Sequence, residues 1–151
     1  MTGTDSDRSR RAHRDAPPAG LSIIVPVFNE AGNLARLHER IAAVARRLRA
    51  QRGLACEVIY IDDGSRDDTY TVARGLSAEA LDVQALSLSR NFGKEAALMA
   101  GLDHARLGAT LFMDGDGQHP PDLIEKLVGH WLYDGYDVVY TAKAHRGCES
   151  L

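Results

Sequence analysis

Four short apolar runs are each followed by polar residues that could bind ions or phosphates. The group that indicates a cation site most clearly is Asp114-Gly115-Asp116-Gly117-Gln118. In extended backbone, residues i and i+2 project to the same side, so the carboxylates of Asp114 and Asp116 can face one cation. Hard oxygen ligands suit Mg²⁺ or Mn²⁺, which keep positions open for water and substrate phosphates. Gln118 continues the spacing with a neutral oxygen. The pattern predicts a divalent-cation site at Asp114, Asp116 and Gln118.

The other three apolar runs end in comparable groups. The first leads into residues 26–30 (PVFNE), the second into 62–65 (DDGS) and the third into 89–94 (SRNFGK). Each group alone has an ordinary structural explanation; Asp67 and Asp68, for example, are typical helix caps. Carboxylates that cluster repel one another unless a cation or donor hydrogens compensate. The whole set therefore indicates a binding site.

The elements that must position these groups alternate between strands and helices. Short β-branched runs predict strands at 21–27, 57–61, 83–88, 110–113 and 137–141. Helical spacing predicts helices over 34–52, from Asp67 or Asp68 to about Glu79, over 94–106, and over a last segment with Pro120 and Pro121 in its first turn. This order predicts an α/β fold with a mainly parallel sheet, flanking helices and a ligand site beyond the carboxyl ends of the strands.

Composition indicates one ordinary globular domain. The 151 residues are 44% apolar and carry a net charge of −3, which argues against nucleic-acid binding through a basic face. Residues 34–52 carry +5 and residues 53–151 carry −8, so the main body could hold a cation. Residues 1–20 are predicted to be a disordered tail, and residues 21–151 the domain. No run is long enough to span a membrane and no signal peptide is evident, which favours the cytoplasm. Cys56 is predicted to be a buried thiol.

Other classes of site fit the same residues less well. The sequence lacks a P-loop, and Gly115 and Gly117 lack the third glycine of a dinucleotide fingerprint. An EF-hand would need glycine where His119 stands, and the preceding run is strand-like. A phosphatase of the haloacid dehalogenase type, with Asp114 as nucleophile, would have Thr or Val where Gln118 stands. It would also leave the groups at 26–30 and 62–65 without a role.

Four motifs in order give the sequence its resemblance to family 2 glycosyltransferases: IIVPVFNE, VIYIDDGSRDDT, LSRNFGKEAALMAGLDHA and MDGDGQHPPDLI. The resemblance covers residues 21–151. It is to the polyprenyl-phosphate sugar transferases, among them the dolichyl-phosphate mannose synthases and the bactoprenol glucosyltransferases. RNFGKEAAL together with AGLDHA is most similar to the bactoprenol group.

The resemblance implies a GT-A fold and an inverting, metal-assisted transfer of a hexose from a nucleotide-diphospho-sugar to a polyprenyl phosphate. The donor would resemble UDP-glucose or GDP-mannose, and the metal would be Mg²⁺ or Mn²⁺. The positions that match the family's site are Pro26, Phe28 and Glu30 at the base and ribose, Asp62 and Asp63 at the base, Arg90 and Lys94 near phosphate, and Asp114, Asp116 and Gln118 at the metal.

The sequence departs from the family pattern in two respects. Gly115 and Gly117 stand where the family more often has larger residues, and the added backbone freedom could weaken the cation site. The chain also stops shortly after its predicted fifth strand, whereas family members continue with acceptor-binding elements and, in the bactoprenol group, membrane helices. The expectation is therefore the donor-binding part of a longer enzyme that works at the cytoplasmic membrane face. An exposed sheet edge would favour self-association. The alternative is a catalytically silent nucleotide- or metal-binding remnant.

Overall fold

A computed structural model describes residues 19–117 and 120–135 of the chain. In chain order the elements are β1 (Leu21–Val27), α1 (Ala31–Arg52), β2 (Cys56–Asp62), α2 (Thr69–Gly75), β3 (Asp82–Ser87), α3 (Lys94–His104), β4 (Ala109–Phe112) and α4 (Leu123–Tyr133). The four strands form one parallel sheet in the order β3-β2-β1-β4. The predicted α/β architecture is confirmed. The predicted strand at 137–141 and most of the predicted tail lie outside the described residues.

The strand register brings the carboxyl ends of the central strands to one edge of the sheet. In β1, Val27 is paired with Asp62 at the end of β2, and Ile24 with Phe112 at the end of β4. The loops that follow these strands therefore start close together, as the parallel arrangement requires. Within the described residues β4 is paired on its β1 side only, and its Phe112 is 53% exposed. This is the sheet edge at which self-association remains a prediction.

Both faces of the sheet are covered by apolar side chains. On one face, α1 buries a stripe at helical spacing against the sheet, with α2 and α4 beside it; the stripe consists of Leu34, Leu37, Ile41, Val44 and Leu48. On the other face, α3 places Ala97 against Ile24, Ile59 and Ile61. This two-sided burial explains why β1 and β2 are nearly continuous apolar runs rather than alternating ones.

Several helix boundaries differ from the sequence-based expectation, and the end of α2 and the start of α4 are two of them. The helix predicted to run to about Glu79 ends at Gly75, and an isolated antiparallel bridge between Ala78 and Leu81 follows it. Glycine is a poor helix former, which is consistent with an end at this position. The last helix begins at Leu123, so the two prolines precede it. Their carbonyl oxygens accept from the backbone N–H groups of Leu123 and Ile124, both at 3.0 Å.

A buried carboxylate lies at the end of the sheet opposite the clustered loops. Glu57 is 1% exposed and accepts hydrogen bonds from Ser22 Oγ (2.6 Å), Gln84 Nε2 (3.0 Å), and the backbone N–H and Nε of Arg106 (2.7 and 2.9 Å). Burial raises the pKa of Glu57, but these hydrogen bonds together outweigh burial and leave the pKa below its ordinary value. Glu57 therefore ties β1, β2 and β3 to the segment after α3.

The predicted burial of Cys56 is confirmed. The residue is 5% exposed, and burial raises the pKa of its thiol to about 11. Such a thiol is almost entirely protonated near neutral pH, which makes it a packing residue rather than a nucleophile. Among the helices of the described residues, none is long and apolar enough to cross a membrane.

Candidate active site

A cleft of about 380 Å³ opens where β1, β2 and β4 end. It is lined by Pro26, Val27, Phe28, Glu30, Asp63, Asn91, Gly93, Lys94, Asp114, Gly115 and Asp116. Most of the predicted site residues are thus brought together around one cavity. Asp62 and Arg90 are not among the lining residues, and Gln118 lies outside the described part of the chain.

The loop after β1 is joined to the loop after β2 by reciprocal hydrogen bonds. The backbone N–H of Asn29 donates to Ser65 Oγ at 2.8 Å, and the backbone N–H of Arg66 donates to Asn29 Oδ1 at 2.9 Å. The backbone N–H of Glu30 donates to Thr69 Oγ1 at 2.9 Å. Asn29 has a positive φ of 52°, a conformation that asparagine tolerates better than most residues. One wall of the cleft is therefore a single bonded unit built from two loops.

Asp67 adds a further link between these loops. Its Oδ1 accepts from both the backbone N–H (3.0 Å) and the hydroxyl of Thr69, the first residue of α2. Its Oδ2 accepts from the backbone N–H of Ala31, the first residue of α1, at 3.3 Å. The Thr69 hydroxyl is the main cause that lowers the pKa of Asp67. Asp67 is thus the capping residue, whereas Asp68 makes no capping hydrogen bond through its side chain.

The adjacent carboxylates Asp62 and Asp63 are both buried but have different surroundings. Asp63 accepts from the backbone N–H groups of Phe92 (2.8 Å) and Gly93 (3.0 Å), one on each carboxylate oxygen. Asp62 Oδ1 accepts from the backbone N–H of Ser65 at 3.2 Å and so stabilises the turn after β2. Asp63 therefore fixes the loop that leads into α3, while it also lines the cleft.

The loop after β3 lies directly against the turn after β2. A Cβ on Gly64 would come within 2.4 Å of both the carbonyl carbon of Arg90 and the backbone nitrogen of Asn91, and its φ is +72°. Only glycine meets both conditions. The guanidinium carbon of Arg90 lies 4.5 Å from the centroid of the exposed Phe92 ring, a cation–π arrangement at the rim.

Lys94 and Asp114 form an ion pair across the cleft. Lys94 is the first residue of α3, and its Nζ contacts Oδ1 of Asp114, which follows β4. Their side chains are 58% and 28% exposed, so water reaches the pair. The cleft is thus lined by the ammonium group of Lys94 and by the carboxylates of Asp114 and Asp116.

Gly115 has a packing role that the sequence did not indicate. A Cβ at this position would lie 2.7 Å from the carbonyl oxygen of Pro26 and 2.8 Å from Val27 Cγ1. The missing side chain therefore lets the Asp114–Asp116 loop approach the end of β1. This close approach argues against the expectation that Gly115 only loosens the loop. Gly117 has a φ of +77°, and a Cβ at that position would meet no atom within 4 Å.

The donor set fits a divalent cation of the Mg²⁺ or Mn²⁺ type. Asp114 and Asp116 both line the cleft and supply hard carboxylate oxygens. Within residues 19–117 and 120–135, no group of three or more Asp, Glu, His or Cys side chains could hold a metal. Mg²⁺ is commonly bound through one or two carboxylates together with water and substrate phosphates, so a two-carboxylate set is compatible with it.

Asn91 and Gly93 line the cleft although the sequence analysis assigned them no role. Both belong to the polar run after the third strand, and their position in that run was the available signal. The hydrogen bonds that hold this run to Asp63 connect residues about 30 positions apart, and no local pattern reveals them.

A parallel sheet with an acidic cleft at its carboxyl edge defines an α/β protein whose cleft lies where open sheets of this kind place their ligand sites. The glycosyl transferase family 2 model matches residues 22–151, and the chain belongs to this family. This membership argues against the EF-hand and phosphatase interpretations, and the strand that precedes Asp114 argues further against an EF-hand.

Curated relatives include polyprenyl-phosphate sugar transferases. The chain is 39% identical over 130 residues to an uncharacterized glycosyltransferase of Synechocystis sp., covering 86% of this chain and 39% of the relative. It is 38% identical over 132 residues to the undecaprenyl-phosphate 4-deoxy-4-formamido-L-arabinose transferase of Shewanella sediminis, covering 87% of this chain and 38% of that protein. The chain therefore spans well under half the length of these relatives.

Solved structures confirm the GT-A fold. Mannosyl-3-phosphoglycerate synthase from Rubrobacter xylanophilus superposes with a TM-score of 0.61 at 22% identity, over 85% of this chain and 40% of that one. Glucosyl-3-phosphoglycerate synthase from Mycobacterium tuberculosis, in complex with UDP, gives a TM-score of 0.59 at 23% identity, over 88% and 46% of the two chains. At these identities the likeness concerns the fold alone.

Proposed function

We propose that this chain forms the donor-binding part of an inverting glycosyltransferase that moves a hexose from a nucleotide-diphospho-sugar to a polyprenyl phosphate. The observation that carries the proposal is the cleft, in which Asp114, Asp116 and Lys94 line the same cavity as residues 26–28 and 30. The acceptor class is taken from relatives named as undecaprenyl-phosphate sugar transferases. Their membrane-bound acceptor also supports a place at the cytoplasmic membrane face.

The wall at residues 26–30 is proposed to receive the nucleoside. Phe28 is 43% exposed in the cleft and offers a ring face on which a base can stack. Pro26 and Glu30 line the same wall, where the carboxylate of Glu30 can accept from ribose hydroxyls. Asp63 retains lone pairs that can accept from the base, and Asp62 stabilises the turn beside it. Uracil and guanine both have N–H groups for this role, so UDP- and GDP-sugars are both candidate donors.

The part of the cleft lined by Lys94, Asp114 and Asp116 is proposed to receive the diphosphate. Asp114 and Asp116, assisted by Gln118, would hold Mg²⁺ or Mn²⁺, which when bound stabilises the negative charge that develops on the departing nucleoside diphosphate. The ammonium group of Lys94 is close enough to Asp114 to contact a phosphate at the same place. Arg90, on the neighbouring rim, is a candidate for the acceptor phosphate.

The proposed reaction makes modest demands on proton transfer. A lipid phosphate is already anionic near neutral pH, so its oxygen can attack the sugar without a strong general base. The residues of the cleft would then act by orienting donor and acceptor and by excluding water from the reacting carbon. A cleft with carboxylates and a lysine can perform these tasks without a strong general base.

A thermal-melt series tests the donor site directly. The purified chain is melted with UDP, GDP or UDP-glucose, each with and without Mn²⁺, beside Asp116→Asn and the control Asp82→Asn, whose side chain is 82% exposed at the opposite end of the sheet. At a hundredfold excess over Kd, a ligand specific for the native state stabilises by about 2.7 kcal/mol. We expect a Mn²⁺-dependent shift with one nucleotide in the chain and in Asp82→Asn only. A cooperative melt that no nucleotide shifts would refute the donor site.

A further inference from the structure

We propose that Lys94 and the divalent cation compete for the carboxylate of Asp114, and that Lys94 moves to the donor's diphosphate when the cation binds. The inference rests on the proposed function, because it assumes that Asp114 and Asp116 bind a cation. It assigns Lys94 a second state and links cation binding to nucleotide binding through one side chain.

The first observation is the contact itself. Nζ of Lys94 is paired with Oδ1 of Asp114, although the two residues belong to different elements and are 20 positions apart. Both side chains line the cleft together with Asp116. A cation that binds the carboxylates of Asp114 and Asp116 would share the Asp114 carboxylate with the ammonium group. Two positive groups on one carboxylate repel each other, so the cation and Lys94 compete.

The second observation is that the backbone of Lys94 is fixed while its head is exposed. The preceding residue, Gly93, donates its backbone N–H to buried Asp63 at 3.0 Å, which holds the start of α3 to the end of β2. The Lys94 side chain is 58% exposed and has four flexible methylene groups. The ammonium group can therefore move by several ångströms within the cleft without a change in the fold.

The third observation is the location of Lys94 at a helix start. A positive charge at the first position of α3 is opposed by the helix dipole, so it needs an anion nearby. Asp114 is the anion that Lys94 contacts in the structure. When a cation takes over Asp114, a diphosphate would supply the replacement charge, and the dipole of α3 favours the same group. The exchange thus keeps Lys94 beside an anion in both states.

The strength of the ion pair suits an exchange. A solvent-exposed pair contributes about 0–1 kcal/mol, equivalent to at most about fivefold in an equilibrium constant. The pair can therefore link α3 to the loop after β4 without preventing a cation from binding Asp114. It follows that removing Lys94 has opposite effects on two affinities: the cation alone should bind more tightly, and the nucleotide in the presence of the cation more weakly.

The test measures Mn²⁺ binding rather than activity. Free Mn²⁺ is quantified by electron paramagnetic resonance during titrations of the chain without nucleotide, and binding of UDP or GDP at a fixed Mn²⁺ concentration is measured by equilibrium dialysis, all at constant ionic strength. The variants are Lys94→Met, Lys94→Arg and the control Lys126→Met, which removes the same charge from an exposed position on α4. For Lys94→Met we expect binding of Mn²⁺ alone to tighten about two- to fivefold and binding of the nucleotide with Mn²⁺ to weaken by a similar factor. Lys94→Arg and Lys126→Met should both stay near the unmodified chain.

Each outcome separates the two proposals. If Mn²⁺ binds the unmodified chain and Asp116→Asn abolishes binding, but Lys94→Met behaves like Lys126→Met, the inference is wrong and the donor site stands. If Lys94→Met shifts both affinities in the same direction, the side chain acts by its charge alone and the exchange is refuted. If the unmodified chain binds Mn²⁺ neither alone nor with UDP or GDP, the donor site and the inference fail together.

Discussion

Replacement of Asp63 by asparagine should destabilise the chain even when no nucleotide is present. In the structure the two carboxylate oxygens of Asp63 accept the backbone N–H groups of Phe92 and Gly93 at 2.8 and 3.0 Å, and the side chain is buried. An asparagine retains one acceptor oxygen but turns a donor NH₂ toward the second backbone N–H. One partly buried N–H group is then left without its acceptor, and a charge-assisted hydrogen bond becomes a neutral one.

The magnitude follows from these contacts. An unsatisfied buried donor costs about 1–3 kcal/mol, and the loop can reduce this cost by admitting water. We therefore expect Asp63→Asn to lower the free energy of unfolding by about 1–3 kcal/mol. Urea denaturation followed by circular dichroism measures this value, and Asp82→Asn, an exposed aspartate, is the matched control.

Hydrogen exchange locates the effect. If the loss is local, the backbone amides of Phe92 and Gly93 should exchange about tenfold faster for each 1.4 kcal/mol. Amides in the middle of β2 should change only as much as global stability does. An Asp63→Asn variant that matches Asp82→Asn in both measurements would show that these hydrogen bonds contribute nothing, and would leave Asp63 with a ligand-binding role alone.

Three other substitutions or probes test separate parts of the structure. Glu57→Gln should lower the unfolding free energy by about 1–3 kcal/mol near neutral pH. Because the folded pKa of Glu57 is lowered, its contribution is present above the unfolded value of about 4.3 and is lost as pH falls further. In urea titrations at acid pH, the difference in unfolding free energy between Glu57→Gln and the unmodified chain should become smaller. A difference that does not change with pH would contradict this. Gly115→Ala should lower the free energy of unfolding in urea by about 1–3 kcal/mol, because the added Cβ would contact Pro26 and Val27. An unchanged free energy of unfolding would show that the loop moves to make room. In a Cys148→Ser background, Cys56 should react with a thiol reagent only as urea unfolds the chain; rapid labelling of the native state would show that the thiol is accessible.

The sequence was sufficient to predict the order of strands and helices and the edge of the sheet that carries the cleft. The central strands β1 and β2 are nearly continuous apolar runs, and topology alone brings the groups after β1, β2 and β4 to one edge. The carboxylates of Asp114 and Asp116 then indicated a cation site, and the resemblance to the family indicated Lys94 as a phosphate contact. These predictions needed only local patterns and the rules that govern parallel sheets.

The contacts inside the cleft could not be predicted in the same way. The bonds from Asp63 to the start of α3, the pairing of Lys94 with Asp114 and the close approach of Gly115 to Pro26 all join distant positions. Each depends on distances of a few ångströms that are fixed only when the sheet is assembled. The early end of α2 is different, because the poor helix propensity of Gly75 was a local signal for it.

The hydrogen bonds that join Asn29 to Ser65 and Arg66 have a consequence for combined substitutions and for chimaeras. A glycine at position 29 would accept the left-handed backbone but would remove the acceptor for Arg66, while a change at Ser65 would remove the acceptor for Asn29. The effects of such changes should be non-additive, because both act on one unit. A chimaera that takes the loop after β1 from a relative should therefore also take that relative's loop after β2.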